Sequence, residues 1–176
     1  MHDRGRSGRL TADFFTESYR ISGCLDTRSR KLADQLDDRT SSFLRLEDVY
    51  ISNTDRPGDI VASHAEAVVR KDGIVAAVVA REEDGLSRKY AYGSYAGSHL
   101  QRAFLIVPSF HICGYLRLPG KANLHAALAG GDAFIPLIEG EMRLSAQPEI
   151  KFAGGIILVN RARIEALCKE EEPSRG

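Results

Sequence analysis

Alternation of apolar and polar residues is the main pattern along this chain, and it predicts β-strands. Between Phe15 and Asp26 the apolar residues and one glycine fall on one face of an extended segment, and the segment from Ile106 to Leu118 repeats this arrangement. A period of two is typical of strands that are buried on one face. Further strands are predicted at residues 43–52, 65–70 and 74–80, and at residues 134–144, 156–160 and 164–168.

Short helices are predicted between some of these strands. Leu32 and Leu36, and likewise Leu124 and Leu128, are four residues apart, a spacing that suits one or two helical turns. The segment at residues 164–171 is compatible with either a strand or a helix. The sequence therefore predicts a mainly β protein with short helices.

One sequence pattern occurs twice in the chain. The segment Tyr19–Leu25 matches Phe110–Leu116, with an aromatic residue, an isoleucine, a glycine and a leucine at identical spacing. Three more pairs of segments match in the same order: Leu32–Leu36 with Leu124–Leu128, Phe43–Leu46 with Phe134–Leu137, and Val69–Ile74 with Val159–Ile164. Alternation alone would not place the glycines and phenylalanines in register, so we predict a duplication.

The duplication divides the chain into tandem units. We expect two small β-barrel-like repeats related by pseudo-twofold symmetry, because a repeat of this size buries little apolar surface alone and gains by packing against the other copy. The predicted parts are a flexible basic arm at 1–13, the first repeat at 14–83, a linker rich in Gly, Ser and Tyr at 84–104, the second repeat at 105–171 and a tail at 172–176.

Residues at matching positions of the two copies are expected to be buried alike. The expected equivalences are Gly23 with Gly114, Phe43 with Phe134, and Ile74 with Ile164. The predicted core consists of these residues together with Ile21, Leu25, Leu46, Ile112, Leu116 and Leu137.

Charge and cysteine usage narrow the class of protein. The 24 basic residues balance the 24 acidic ones, so no overall field draws the chain to nucleic acid or to an anionic membrane. No apolar run approaches the roughly 18 residues that a membrane helix needs. Cys24, Cys113 and Cys168 are odd in number and widely spaced, as in proteins of a reducing compartment. We expect a cytoplasmic protein that is not embedded in a membrane.

Residue patterns for catalysis are missing from the sequence. None of the five histidines combines with Cys, Asp or Glu in a recognised metal-binding motif, and no phosphate-binding loop or nucleophile elbow occurs. Gly154-Gly155 lies inside an apolar strand, where it predicts a β-bulge rather than a phosphate cradle. We therefore predict a protein that is not an enzyme, with no catalytic residues, no cofactor and no metal site.

Basic residues supply the candidates for contact with nucleic acid. They are grouped in the N-terminal arm, in the segment before the first helix and in the turns before the last strand of each copy. The candidates are Arg4, Arg6, Arg9, Arg28, Arg30, Lys31, Arg70, Lys71, Arg161 and Arg163.

Two resemblances follow from the repeated residues. The pattern I-x-G-x-L, L-x-x-x-L, F-(L/I)-x-L resembles a bacterial domain of unknown function that is often doubled, and this resemblance implies no activity. Each copy is also similar to the Sm-like barrel of Sm, LSm and Hfq proteins, which implies RNA binding. The residues that carry the second resemblance are Gly23-Cys-Leu25, Leu46-Glu-Asp-Val49 and Val69-Arg-Lys-Asp-Gly-Ile-Val75.

The chain departs from the Sm-like pattern in three ways. Residues 27–41 and 118–133 form insertions, and the base-binding asparagine expected before Leu46 is missing. In the second copy the segment Asn160–Arg163 replaces Arg70–Gly73. These departures weaken the transfer of RNA binding to this chain.

Three functions are consistent with the sequence. The first is a protein-interaction or scaffold module whose partner is another protein or a further copy of the chain, joined through edge strands. The second is an Sm-like RNA-binding protein. The third is a barrel that binds a cyclic dinucleotide or another small ligand, although the arginine motif of PilZ-type receptors has no clean match here.

Overall fold

A computed structural model describes residues 8–86 and 97–171, which form one antiparallel sheet of ten strands with short helices. Residues 8–86 form the first half and residues 97–171 the second half. The first half contains β1 Arg9–Phe15, β2 Tyr19–Asp26, α1 Leu32–Asp37, β3 Phe43–Asn53, β4 Ile60–Arg70, the 3-10 turn Lys71–Gly73, β5 Ala76–Val79 and α2 Glu82–Gly85. The second half contains β6 Ser98–Val107, β7 Phe110–Pro119, α3 Leu124–Ala129, β8 Phe134–Leu144, β9 Gln147–Asn160, the 3-10 turn Arg161–Arg163 and β10 Ala166–Lys169.

Up to the fifth strand of each half, the elements follow the same order in both halves. Pairing of the second strand with the third shifts register at Gly23 in the first half and at Gly114 in the second. A Cβ atom at Gly23 would lie 3.2 Å from the Cβ of Leu46, and one at Gly114 would lie 3.2 Å from the Cβ of Leu137. The third strand of each half therefore approaches the backbone closely at these two glycines.

The two halves join through strands β5 and β9, and we call this junction the seam. The order across the sheet is β10-β6-β7-β8-β9-β5-β1-β2-β3-β4. At the seam Ala76–Val79 pairs with Ile156–Val159, and all eight side chains are apolar and buried. The predicted pseudo-twofold arrangement would pair like strands, whereas the seam pairs the fifth strand of one half with the fourth strand of the other.

Each half contributes side chains to the core of the other. The core of the second half includes Phe15 of β1, whose ring centroid lies 5.7 Å from that of Phe110 and 4.5 Å from that of Phe152. The core of the first half includes Phe134 and Ile156 of the second half. Sharing of apolar side chains gives each half more buried surface than it has alone.

Most of the predicted core is buried, with three exceptions. Ile21 and Ile164 are only half-buried. Phe43 is 45% exposed, whereas Phe134 is 4% exposed, so the prediction that both rings are buried was wrong for Phe43. The two rings differ because their strands have different neighbours. Phe134 begins β8, next to the seam strand β9, and packs in the core of the first half. Phe43 begins β3, next to β4, the last strand of the sheet.

Several predicted boundaries move. Residues 9–13, expected in a flexible arm, belong to β1, which lies between β2 and β5 and is held by both. The extended segment predicted from residue 15 to 26 is interrupted by a turn at 16–18, and β6 begins at residue 98, inside the predicted linker. The segment at residues 164–171, which the sequence left as either strand or helix, contains the strand β10. Residues 1–7, 87–96 and 172–176 lie outside the described residues.

Candidate functional site

Strand β4 forms one end of the sheet and, among the described residues, pairs with β3 alone. The side chains of Ile60, Val61 and Val68 are more than half exposed. The strand contains no lysine or proline, the residues with which soluble proteins commonly protect an edge from pairing. The free side of this strand, called the β4 edge below, is a candidate interaction surface.

Phe43 and Arg70 extend this surface at one end of the strand. The two residues pair across β3 and β4, and the guanidinium carbon of Arg70 lies 4.6 Å from the centroid of the Phe43 ring. A cation above an aromatic face is a favourable contact that leaves the charge accessible to water. The β4 edge therefore combines apolar side chains with a positive charge at its end.

The β4 edge was not predicted from the sequence, although the sequence contains a signal for it. The fourth strand of the second half carries the continuous apolar run Ile156–Val159, which is typical of a strand covered on both faces. The matching residues of the first half, Glu66–Val69, include a charge. Comparison of the two copies at this position would have indicated that one strand is internal and the other lies at an edge.

A cavity of about 320 Å³, the seam cleft, lies where the two halves meet. It is lined by α1 and its following loop and by the 3-10 turns that follow β4 and β9. Arg39, Lys71 and Arg161 supply positive charge to its lining, and Asp38 and Asp72 supply negative charge. The cleft therefore carries charges of both signs on a lining that also includes apolar side chains.

Lys71 is buried at the wall of the seam cleft. Its Nζ donates hydrogen bonds to the carbonyl oxygens of Gln35 at 2.5 Å and of Asp38 at 3.0 Å. Burial lowers the pKa of Lys71, and the Asp38 carboxylate opposes this change. The ammonium group ties the 3-10 turn to the end of α1, so its first role is to hold the wall of the cleft in place.

Asp37 links the two halves beside the same cleft. Its Oδ1 accepts hydrogen bonds from the backbone N–H groups of Ala133 at 2.9 Å and Phe134 at 3.0 Å. Arg39 donates to the carbonyl oxygen of Gly131 at 2.9 Å. The end of α1 is thus fixed to the start of β8 by polar contacts, in addition to the apolar contacts of the seam.

Each half has a groove between its second strand, its helix and its third strand. The first-half groove has a volume of about 450 Å³ and the second-half groove about 190 Å³. Charged side chains dominate the first, including those of Asp26, Arg28, Arg30, Arg45 and Glu47. Apolar side chains dominate the second, including those of Leu86, Leu116, Leu118, Pro136 and Ile138. Grooves at the same place in the two halves therefore differ in chemistry.

The structure brings some of the basic candidate residues together and separates others. Arg28, Arg30 and Lys71 line the first-half groove, while Lys71 and Arg161 line the seam cleft. Lys31 lies immediately before α1. The remaining described candidates, Arg9, Arg70 and Arg163, line neither cavity, and Arg4 and Arg6 lie outside the described residues.

Many of these cations are paired with carboxylates. Arg28 binds Asp26 at 2.6 Å and lowers the pKa of that carboxyl to about 2. Arg30 binds Asp38 at 2.7 Å and, together with Thr40, holds its pKa below the usual range. Arg9 lies 2.9 Å from Asp48, and Arg163 pairs with Glu17. Pairing reduces the positive potential that these residues offer to phosphates.

The described residues offer little for metal binding or nucleophilic chemistry. Within them, no group of three or more His, Cys, Asp or Glu side chains is placed to hold a metal ion. Cys24, Cys113 and Cys168 are free thiols, and burial raises the pKa of the Cys113 thiol, the opposite of what a nucleophile needs. No helix in these parts of the chain has the length and apolar character to span a bilayer.

The features that remain for function are the β4 edge, the seam cleft and the two grooves. Comparison of the chain with known protein families, with curated proteins and with solved structures finds no match.

Proposed function

We propose that this chain is a non-enzymatic protein-interaction module of the bacterial cytoplasm that binds a partner strand at the β4 edge. The observation that carries the proposal is the length of β4, which exposes Ile60, Val61 and Val68 and has no strand on its outer side among the described residues. A strand added to such an edge gains main-chain hydrogen bonds, while alternate side chains supply specificity. Each half is proposed to be one small barrel-like repeat, which is supported by their common element order.

The seam supports this proposal because it shows how the chain covers a strand of this kind. Strands β4 and β9 are both the fourth strand of their half. In the second half β5 pairs with β9 and buries Ile156–Val159 completely. The first half presents the same kind of strand without such a cover among the described residues.

Charging the β4 edge is expected to abolish partner binding. In the double variant Val61→Lys/Val68→Lys, two exposed apolar side chains of the edge become cations, a device that natural edge strands use against pairing. Affinity capture from nuclease-treated bacterial lysate should recover protein with the wild-type chain and lose it with this variant.

Tyr50→Lys is the matched control for that experiment. Tyr50 is also about half exposed but belongs to β3, which is paired on both sides. The Tyr50→Lys variant should therefore recover the same protein partners as the wild-type chain. Equal recovery by the double variant, or recovery of nucleic acid without protein from untreated lysate, would contradict the proposal.

RNA binding is the second candidate function, and the seam cleft favours it. Arg39, Lys71 and Arg161 come from three separate segments and meet at one cavity. The guanidinium groups of Arg39 and Arg161 have more donors than their single carbonyl contacts use. A filter-binding titration with single-stranded RNA should then show affinity that falls steeply with salt and is reduced by Arg39→Ala/Arg161→Ala; absence of binding at about 50 mM salt would exclude this function.

A further inference from the structure

We infer that the partner of the β4 edge is strand β10 of a second copy of this chain, so that copies join head to tail. The inference rests on the proposed function and names its partner. It also predicts which residues of the two strands lie opposite each other and which charged residues favour that pairing.

The two ends of the sheet are counterparts of the two strands of the seam. One end is β4, the fourth strand of the first half, as β9 is of the second half. The other end is β10, the fifth strand of the second half, as β5 is of the first half. Each chain therefore carries both members of a second seam at opposite ends of its sheet, where, among the described residues, β4 pairs only with β3 and β10 only with β6.

Differences in exposure between the halves show what such a second seam would cover. Phe43 and Phe134 hold the same place, each paired with the last residue of the fourth strand. Val68 is 61% exposed, and its counterpart Leu158 is fully buried. The ring of Phe43 and the side chain of Val68 are left open where the seam covers their counterparts.

Transfer of the seam register to the free strands places complementary residues opposite each other. Val79 pairs with Ile156 in the seam, and their counterparts at the free edges are Lys169 and Glu66. Opposite charges that face each other across strands are stabilising, and like charges are destabilising. Glu66 already binds Arg45 of its own chain at 3.0 Å, so Lys169 of the neighbouring copy would join this ion pair in place of the apolar contact of the seam.

A second complementary pair closes the other end of the ladder. In the seam the N–H of Asn160 donates to the carbonyl oxygen of Val75 at 2.9 Å. The counterparts of these two residues are Arg70 and Glu165, and both are exposed. Between the two ion pairs, the transferred register brings together only uncharged residues: Ala166 with Val69, Leu167 with Val68, and Cys168 with Ala67.

The intermolecular ladder ends at Glu66. In the seam, Gly154 and Gly155 follow, and a Cβ atom at these positions would lie 2.5 and 2.7 Å from carbonyl oxygens of the first half. Strand β4 has His64 and Ala65 at the matching positions, and their side chains prevent a partner strand from approaching as closely. The second seam is therefore shorter than the first, and we expect association that depends on protein concentration.

This interface joins unlike surfaces, so it leaves a free β4 and a free β10 at the ends of every assembly. A head-to-tail contact of this kind produces a ring if the rotation between copies closes and a filament if it does not. Both outcomes contain the same strand pair, and both differ from a symmetric dimer in which β4 meets β4.

A charge reversal tests the inference. Analytical ultracentrifugation of the wild-type chain should show multiples of 19.3 kDa that grow with concentration. Lys169→Glu would place two glutamates opposite each other and should raise the dissociation constant about tenfold. The double variant Lys169→Glu/Glu66→Lys should recover part of the loss, because its new lysine faces both the new glutamate of the neighbouring copy and Arg45 of its own chain. Lys121→Glu, an exposed change in the loop before α3, should have no effect.

A disulfide test of the register is independent of those energies. Ala67→Cys introduces a thiol opposite Cys168 of the neighbouring copy, and oxidation should give a ladder of covalent multiples only if the strands come within bridging distance. Ala67→Cys/Cys168→Ser should stay monomeric under denaturing conditions. Either of two results would overturn the inference: a wild-type chain that remains monomeric at every concentration, or covalent dimers of Ala67→Cys/Cys168→Ser. If the wild-type chain is monomeric but Val61→Lys/Val68→Lys still loses other protein partners, the proposed function stands without this inference.

Discussion

Replacement of Phe15 by alanine should lower the free energy of unfolding by about 3–5 kcal/mol, the usual cost of removing a fully buried phenylalanine. Phe15 belongs to β1 of the first half but is enclosed in the core of the second half, between the rings of Phe110 and Phe152. The variant loses both the apolar burial and the contacts between aromatic rings, and the cavity it leaves lies at the junction of the halves. Urea denaturation followed by far-UV circular dichroism measures the change.

Phe43→Ala is the matched control, because the same atoms are removed from a ring that is 45% exposed. Its cost should stay below about 1 kcal/mol, near the range of surface substitutions. Equal costs for the two variants would contradict the assignment of Phe15 to a core shared by both halves. Self-association must be held constant in this comparison, so both variants are measured at the same low protein concentration.

Replacement of Gly154 by alanine should destabilise the protein by about 1–3 kcal/mol, the cost typical of overpacking. A Cβ atom at this position would lie 2.5 Å from the carbonyl oxygen of Val79 and 2.8 Å from Cγ1 of Val78. Backbone must move to make room, and the backbone in question is the strand of the first half that forms the seam. Denaturation by urea is again the measurement.

Gly73→Ala is the control for the glycine prediction. A Cβ atom there meets nothing within 4 Å, so the substitution should be neutral or slightly stabilising. If Gly154→Ala were as well tolerated as Gly73→Ala, the two halves could not be as closely apposed at β9 as the structure indicates.

Local sequence patterns predicted the positions of the strands and helices better than they predicted which strands pair with each other. Alternation located β3 and β8 to within a residue, and the leucine pairs located α1 and α3, because side-chain periodicity is a property of the segment itself. The pairing of β5 with β9 joins residues about 80 positions apart along the chain, and nothing within either segment specifies it. For this reason a single continuous sheet was not predicted.

Two of the misread sequence signals concern the seam. Gly154-Gly155 predicted a bulge, yet the pairing of β8 with β9 keeps its register there and shifts only near Arg143. The glycines instead give room to the backbone that crosses from β5. Phe43 was predicted to be buried because Phe134 matches it, but burial of Phe134 comes from the other half. Residues at matching positions of the two halves share a local position without sharing neighbours, and candidate sites that depend on neighbours, such as the β4 edge, differ between the halves accordingly.

Joining the halves through β5 and β9 has a consequence for synthesis of the chain. Strand β5 and the ring of Phe15 leave the ribosome well before β9, which completes their packing. At 5–20 residues per second, the stretch of chain between Val79 and Ile156 takes roughly 4–15 s to translate. During that interval the nascent first half exposes an apolar strand with an unpaired edge, so protection by a chaperone should decide how much of the protein reaches its native state.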